Sequence, residues 1–357
     1  MRFHLVSIPH TQVTDKFSAC AFTNKVRYFA KMMMDLGHEV YLYAGDQNQA
    51  ECTEHIPCIT EEQRLAHCGG CHFIEAVWDA NTPGWKTFNS NAIREIEKRK
   101  QPRDFICVIG GWASKPVADA FPDLMTVEFG IGYGGAFAKY RVWESYAWMH
   151  TQYGAATMGE PTAADGAWYD AVIPGYFDMA SFPFREEKDD YYFFIGRLID
   201  RKGYQIAADV CKKLGKRLLV AGQGTPPEYG EYIGVIGPEE RGRIMAGAIA
   251  TFVPTIYIEP FGNVAVEAQA CGTPVITTDW GAMTETVIEG VTGFHCRTFR
   301  EFCEATEAVK GLDPKTIRNH AINNYSLPVI AKKYDKYFRR LYDLWGDGWY
   351  QMEPIAG

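Results

Sequence analysis

Hydrophobic and polar positions along the first half of the chain switch between two periods. Residues 3–8 form a short apolar run suited to a buried parallel strand. Phe22, Val26, Phe29, Met33 and Leu36 then recur at steps of four, three, four and three, which marks one face of a helix. Gly37 stands where a helix C-cap belongs, and 40–44 reads as the next strand. The alternation continues with a helix over 92–100 and strands over 105–109 and 124–127, the last two followed by glycine- and aromatic-rich loops.

A charged, proline-containing stretch, 182–190, interrupts this pattern and reads as an interdomain linker. The alternation then restarts. Strands are expected over 191–195, 217–221, 249–253 and 274–277, with helices over 204–214 and 263–271. Strand–helix alternation of this kind predicts parallel sheets with right-handed crossovers, and ligands at the carboxyl ends of the strands. The expected fold class is therefore α/β: one open parallel-sheet domain over 1–183 and a second over 190–328. The segment 329–345 has Ile330, Tyr334, Tyr337, Phe338, Leu341 and Leu344 on one face. A helix there, extending to about 350, is expected to pack back on the first domain.

Composition narrows the class further. A length of 357 residues suits two domains, and 47% apolar with 22% charged residues is the balance of a folded chain with large cores. The net charge of −8 disfavours a nucleic-acid partner recognised through phosphate neutralisation. No run approaches the roughly 20 apolar residues that a membrane helix needs, and residues 1–10 lack signal-peptide character, so a cytoplasmic location is expected. Lys332, Lys333, Lys336, Arg339 and Arg340 lie around the polar side of the last helix and keep peripheral membrane contact open. The oligomeric state stays open.

Cys52, His55, Cys58, His67, Cys68, Cys71 and His72 fall within 21 residues, and the Cys68–Cys71 pair has zinc-knuckle spacing. One such pair with irregular partners weighs less than the alternative of unrelated thiols and histidines, so zinc is not the favoured reading.

The second half carries the clearer chemistry. A loop after the 249–253 strand leads through Glu259, Pro260, Phe261 and Gly262 into the 263–271 helix. With Asn263 as its N-cap, the start of that helix is a ready anion site, and Gly262 allows close approach. Glu267 lies one turn further and faces the same mouth, so it and Glu259 are placed to accept hydrogen bonds from hydroxyl groups. Arg197 and Lys202 follow the 191–195 strand and offer two cations to a diphosphate. Gly222 sits in a glycine turn after the 217–221 strand.

The order of Gly196-Arg197 through Lys202-Gly203, Ala221-Gly222-Gln223-Gly224, Glu259 through Glu267, and Cys271-Gly272-Thr273-Pro274 resembles the retaining glycosyltransferases of family 4. Gly281-Ala282-Met283-Thr284-Glu285 and Gly290-Val291-Thr292-Gly293 extend the likeness. It is dense over 191–295 and holds only in outline before that. The resemblance implies a GT-B fold of two Rossmann-like domains facing a central cleft. It implies a nucleotide-diphosphate sugar donor, of UDP or GDP type, held by the second domain, and a hydroxyl acceptor on the first. Arg197 and Lys202 would hold the diphosphate and Glu259 the sugar hydroxyls. Phe261, Gly262, Asn263 and Gly222 would line the donor, and Glu267 would bind the ribose. No aspartate is followed two positions later by another, so the metal-binding D-x-D pattern is missing and no cofactor is expected.

The first domain departs from the family. Where a glycine pair is usual after the first strand, the chain has Pro9-His10-Thr11, and no histidine follows a middle strand. His10 and Glu128 are the candidates for acceptor-side polar groups. The aromatic stretch 140–153 offers either stacking or core residues. An alternative to a transferase is a catalytically idle nucleotide- or glycan-binding module. The acceptor stays open among lipid, glycan, protein, small molecule and modified base.

Overall fold

A computed structural model describes residues 1–68, 75–158, 160, 162 and 164–344. In chain order the first elements are β1 (Arg2–Val6), α1 (Ala21–Asp35), β2 (Glu39–Gly45), β3 (Glu54–Ile59), α2 (Glu61–Cys68), α3 (Pro83–Glu97) and β4 (Phe105–Val108). They are followed by α4 (Lys115–Asp119), β5 (Met125–Ile131), β6 (Tyr140–Trp143), α5 (Tyr146–Ala156) and β7 (Ala171–Val172). The second series is β8 (Tyr192–Ile195), α6 (Tyr204–Leu214), β9 (Leu218–Ala221), β10 (Glu231–Tyr232), α7 (Pro238–Gly247), β11 (Thr251–Val253), α8 (Asn263–Ala270) and β12 (Val275–Thr278). It ends with α9 (Met283–Thr286), β13 (Gly293–Cys296), α10 (Phe299–Ala308), α11 (Pro314–Tyr325) and α12 (Leu327–Leu344).

The chain divides into two compact units. The first comprises residues 1–143, 165–176 and 327–357, and the second 144–164 and 177–326. The first holds a seven-stranded sheet of order β3-β2-β1-β4-β5-β6-β7, the second a six-stranded sheet of order β10-β9-β8-β11-β12-β13. All strand pairings are parallel. In each sheet the order reverses beside its first strand, β1 or β8, which is where open α/β sheets leave a crevice for ligands.

The division differs from a single seam at 182–190. After β6 the chain leaves the first unit to build α5 in the second, and returns at 165 to add β7. Ser145 caps α5 through Trp148 N–H, and Glu285 accepts hydrogen bonds from the Tyr146 and Ala147 N–H groups (2.9 and 2.7 Å). A carboxylate at a helix N-terminus satisfies two orphan donors and complements the dipole. Those contacts assign 144–164 to the second unit.

Other boundaries also move. The helix expected over 92–100 begins at Pro83, a residue suited to a first turn, because Trp85, Phe88, Ala92 and Ile96 form one buried face. Residues 54–59, within the cysteine and histidine cluster, form the edge strand β3, with Tyr41 opposite Glu54. Pro57 is tolerated there because an edge strand needs no second row of N–H donors.

The core of the first unit is aromatic. Phe3, Phe29, Phe105, Tyr334 and Phe338 are fully buried, and the Phe338 ring lies 4.7 Å from Phe3 and 5.0 Å from Phe105. Thus α12 packs its apolar face into that core, against α1. Those side chains are not available to enter a bilayer. Among the described residues no helix is long and apolar enough to cross a membrane.

Candidate functional site

At the carboxyl edge of the second sheet, Gly196 follows β8 and β9 ends in Ala221. Gly196 N–H donates to the Ala221 carbonyl (3.1 Å) and Leu198 N–H to the Gln223 carbonyl (2.8 Å), lacing the two following loops together. Gly222 has φ +136°, and a Cβ on it would fall 1.7 Å from the Gly196 carbonyl oxygen. Glycine is therefore a steric requirement of this crossing. The loop carries the exposed Arg197 and then a single 3-10 turn, Asp200–Lys202, into α6.

The loop after β11 is pinned to that turn by Ile256 N–H, which donates to the Arg201 carbonyl (2.9 Å). This brings Lys202 Nζ to 2.8 Å from Glu259 Oε2, an ion pair between residues 57 apart in sequence. Thr255 Oγ1 donates to the same carboxylate oxygen (3.3 Å). The Tyr257 ring lies 4.6 Å from the Arg201 guanidinium and 5.0 Å from Lys202 Nζ. Burial and the adjacent Glu259 push the Tyr257 hydroxyl well above its usual range, so it stays protonated. Thr255 and Tyr257 belong to this group although no motif flags them; their only sequence signal is their closeness to Glu259.

Gly262, not Asn263, is the N-cap of α8. Its φ of +86° lies in the left-handed region, and Asn263 is the first helical residue and exposed. No side-chain cap hydrogen bond closes this end. Phe261 is buried with Phe177, Val266, Ala270, Ala321 and Tyr325, which anchors the approach to the helix. The approach is also held from two sides. Ser145 Oγ donates to the Pro260 carbonyl (2.6 Å), and Ala282 N–H donates to the Glu259 carbonyl (3.0 Å).

Glu267 is 8% exposed. Its Oε1 lies 3.3 Å from Arg241 Nη2, while Oε2 is buried and has no hydrogen-bond partner among the described residues. Burial raises its carboxyl pKa, with Arg241 opposing. A buried carboxylate oxygen without a donor is costly. Arg241, on α7, was not anticipated; only the fold brings it to Glu267.

The remaining candidates lie in the first unit. Glu128, on β5, is fully buried and accepts from Tyr133 O–H (3.0 Å) and from the Phe137 and Ala138 N–H groups (2.9 and 3.2 Å). It shapes the loop after β5. His10, after β1, is 3% exposed, its ring edge-on to Trp78 at 4.7 Å, and its Nδ1 has no hydrogen-bond partner among the described residues. Cys52 packs against the core that contains α1, whereas Cys58 belongs to the core on the other face of the sheet, so the strand separates them. Cys68 ends α2, and Cys71 lies outside the described residues. Among the described residues no three His, Cys, Asp or Glu side chains converge as metal ligands.

Comparison with known proteins agrees with this geometry. The family model described as "Glycosyl transferases group 1" matches residues 189–310. Glycogen synthase of Mycobacterium tuberculosis is 30% identical over 174 residues, 42% of either chain. D-inositol 3-phosphate glycosyltransferase of Mycolicibacterium smegmatis is 32% identical over 148 residues, 36% of this chain and 34% of the relative. The matched stretches thus span less than half the length of these curated relatives. Among solved structures, AviGT4, a glycosyltransferase involved in avilamycin A biosynthesis, superposes with a TM-score of 0.68 at 21% identity, covering 96% of this chain and 98% of that one. Anabaena Alr3699/HepE, solved in complex with UDP and glucose, gives 0.60 at 13% identity, covering 95% and 100%. Residues 189–310 thus resemble the group 1 glycosyltransferases, and the two open parallel sheets are those of the GT-B fold.

Proposed function

We propose that this protein transfers a sugar from a nucleotide-diphosphate sugar to a hydroxyl group of an acceptor, with retention of configuration and without a metal ion. The observation that carries the reading is the Lys202–Glu259 pair beside the open N-terminus of α8. Cation, carboxylate and oriented N–H groups meet at one sheet edge, which suits an anionic diphosphate with a hydroxylated sugar attached. Lys202 and Arg197 hold the diphosphate. Glu259 accepts hydrogen bonds from the sugar, Phe261, Gly262, Asn263 and Gly222 line the donor, and Glu267 Oε2 takes a ribose hydroxyl.

In the reaction the bond from the anomeric carbon to the diphosphate oxygen breaks. The acceptor oxygen bonds to the same carbon on the same face, and its proton passes to the departing diphosphate. Lys202, Arg197 and the α8 dipole offset the charge that develops on the leaving group, the task a divalent cation performs elsewhere. The absence of a D-x-D pattern supports this division of labour. UDP or GDP sugars are the expected donors; a structural neighbour has been solved with UDP-glucose. The described cysteines are all free thiols, which suits a reducing cytoplasm.

A thermal-shift panel of UDP-, GDP- and ADP-sugars identifies the donor, because a ligand bound only by the folded state raises Tm by mass action. Transfer from that donor is expected to fall at least a thousandfold in Lys202→Ala and in Glu259→Ala, with the circular dichroism spectrum unchanged. Turnover retained in both variants refutes the assignment. Donor binding without transfer or hydrolysis in the wild type would reveal an idle binding module.

A further inference from the structure

Trp112 is 59% exposed, an unusual state for an indole on a rigid turn. It stands just after β4, on the 3-10 turn Gly111–Ser114, at the ligand-binding edge of the first unit's sheet. The ring is held from below. A Cβ on Gly135, whose φ is +82°, would fall 2.8 Å from Trp112 Cδ1, so the indole rests directly on backbone. Phe137 packs beside it at 6.0 Å, and the loop bearing both Gly135 and Phe137 is fixed by the three hydrogen bonds to Glu128.

A second indole shares this edge. Trp78, 37% exposed, packs on Phe22 at 4.6 Å and reaches within 3.6 Å of the Cβ position of Gly110, two residues before Trp112. Lys25 donates to the Gly130 carbonyl, Arg64 pairs with Glu61, and Lys115 pairs with Asp119. The surface is thus aromatic and rigid, which suits a ligand with a flat apolar face.

We infer that Trp112 is the stacking platform of a carbohydrate site, and that the acceptor presents a neutral pyranose ring to it. The C–H bonds of one pyranose face carry partial positive charge and meet the negative face of the indole, while the ring hydroxyls project sideways to polar groups and water. The stacking site stands on its own observations; its role as acceptor site rests on the transferase reading.

The test is ligand-observed saturation-transfer NMR and calorimetry on the full chain. The probes are neutral oligosaccharides of glucose, mannose and N-acetylglucosamine, with adenosine and phosphatidylglycerol vesicles as competing classes. Saturation is expected on the ring C–H protons of a bound sugar. Trp112→Ala should weaken that binding tenfold or more, and Trp112→Phe only a few-fold, since a ring is retained. The nucleotide-sugar thermal shift should be unchanged in both variants and reports that they are folded. The inference is overturned if no sugar of the panel binds, if only adenosine or the vesicles bind, or if Trp112→Ala binds sugar as tightly as the wild type. Sugar binding at Trp112 without any nucleotide-sugar shift in the wild type would leave the platform standing and remove the transferase reading instead.

Discussion

At the scale of single residues, burial decides protonation. His10 is enclosed by aromatic rings, and burial, aided by the nearby Arg64 guanidinium, lowers its pKa to about 4. An unfolded histidine takes up its proton near pH 6.5. Between those values the unfolded chain binds a proton that the folded chain refuses, so stability is full above about pH 6.5 and falls as the pH drops toward 4. The loss attributable to His10 across that window is on the order of 3 kcal/mol. Burial also lowers His38 and His320, but they titrate alike in wild type and variant. Urea denaturation from pH 7 to pH 4 should therefore give a flatter stability profile for His10→Gln than for the wild type. Parallel profiles would show that His10 is not the group responsible. Lys202 and Glu259 are each partly exposed, with the counter-charge at 2.8 Å.

At the scale of elements, short loops do the positioning. The Gly196 and Gly222 turns cross at backbone contact, and this crossing fixes the backbone of the turn that carries Arg197. Gly222→Ala forces a side chain into a left-handed conformation and against the Gly196 carbonyl. A cost of about 3 kcal/mol is expected, measured as a shift of the urea midpoint at constant m-value. Nucleotide-sugar affinity should fall with it, because the turn bearing Arg197 must move; a variant as stable as the wild type would contradict the crossing. The element pattern shows how far periodicity reaches. The buried faces of α1 and α12 follow from apolar spacing alone. The strand β3 does not, because Glu54-His55-Ile56-Pro57-Cys58-Ile59 mixes polar residues with a proline, and only pairing with β2 makes it a strand. Likewise the spacing around Asn263 suggests a side-chain cap, whereas the close packing of the approach loop selects a left-handed glycine one residue earlier.

At the scale of the whole molecule, the two units are not consecutive pieces of chain. The polypeptide passes between them after residues 143, 164, 176 and 326, and its last described helix completes the unit that contains its first strand. A chain ending at Ser326 loses Ile330, Tyr334, Tyr337, Phe338 and Leu341, each at most 5% exposed, from the first unit's core. Removing one such aromatic costs about 3–5 kcal/mol, so losing five large side chains exceeds the stability of an ordinary domain. The truncated protein should bind a hydrophobic dye and lose the cooperative unfolding of the first unit; an unchanged unfolding profile would show that α12 is dispensable. The parallel α/β class, the break in pattern near 182–190 and the glycine-bounded loops that carry Arg197, Lys202 and Glu259 were legible in the chain, because apolar periodicity and glycine turns are local signals. Tertiary structure alone decided that Lys202 meets Glu259, that Arg241 faces Glu267, that residues 144–164 join the second unit, and that Trp112 is left uncovered. Those outcomes depend on which distant segments share space, and no local spacing encodes that.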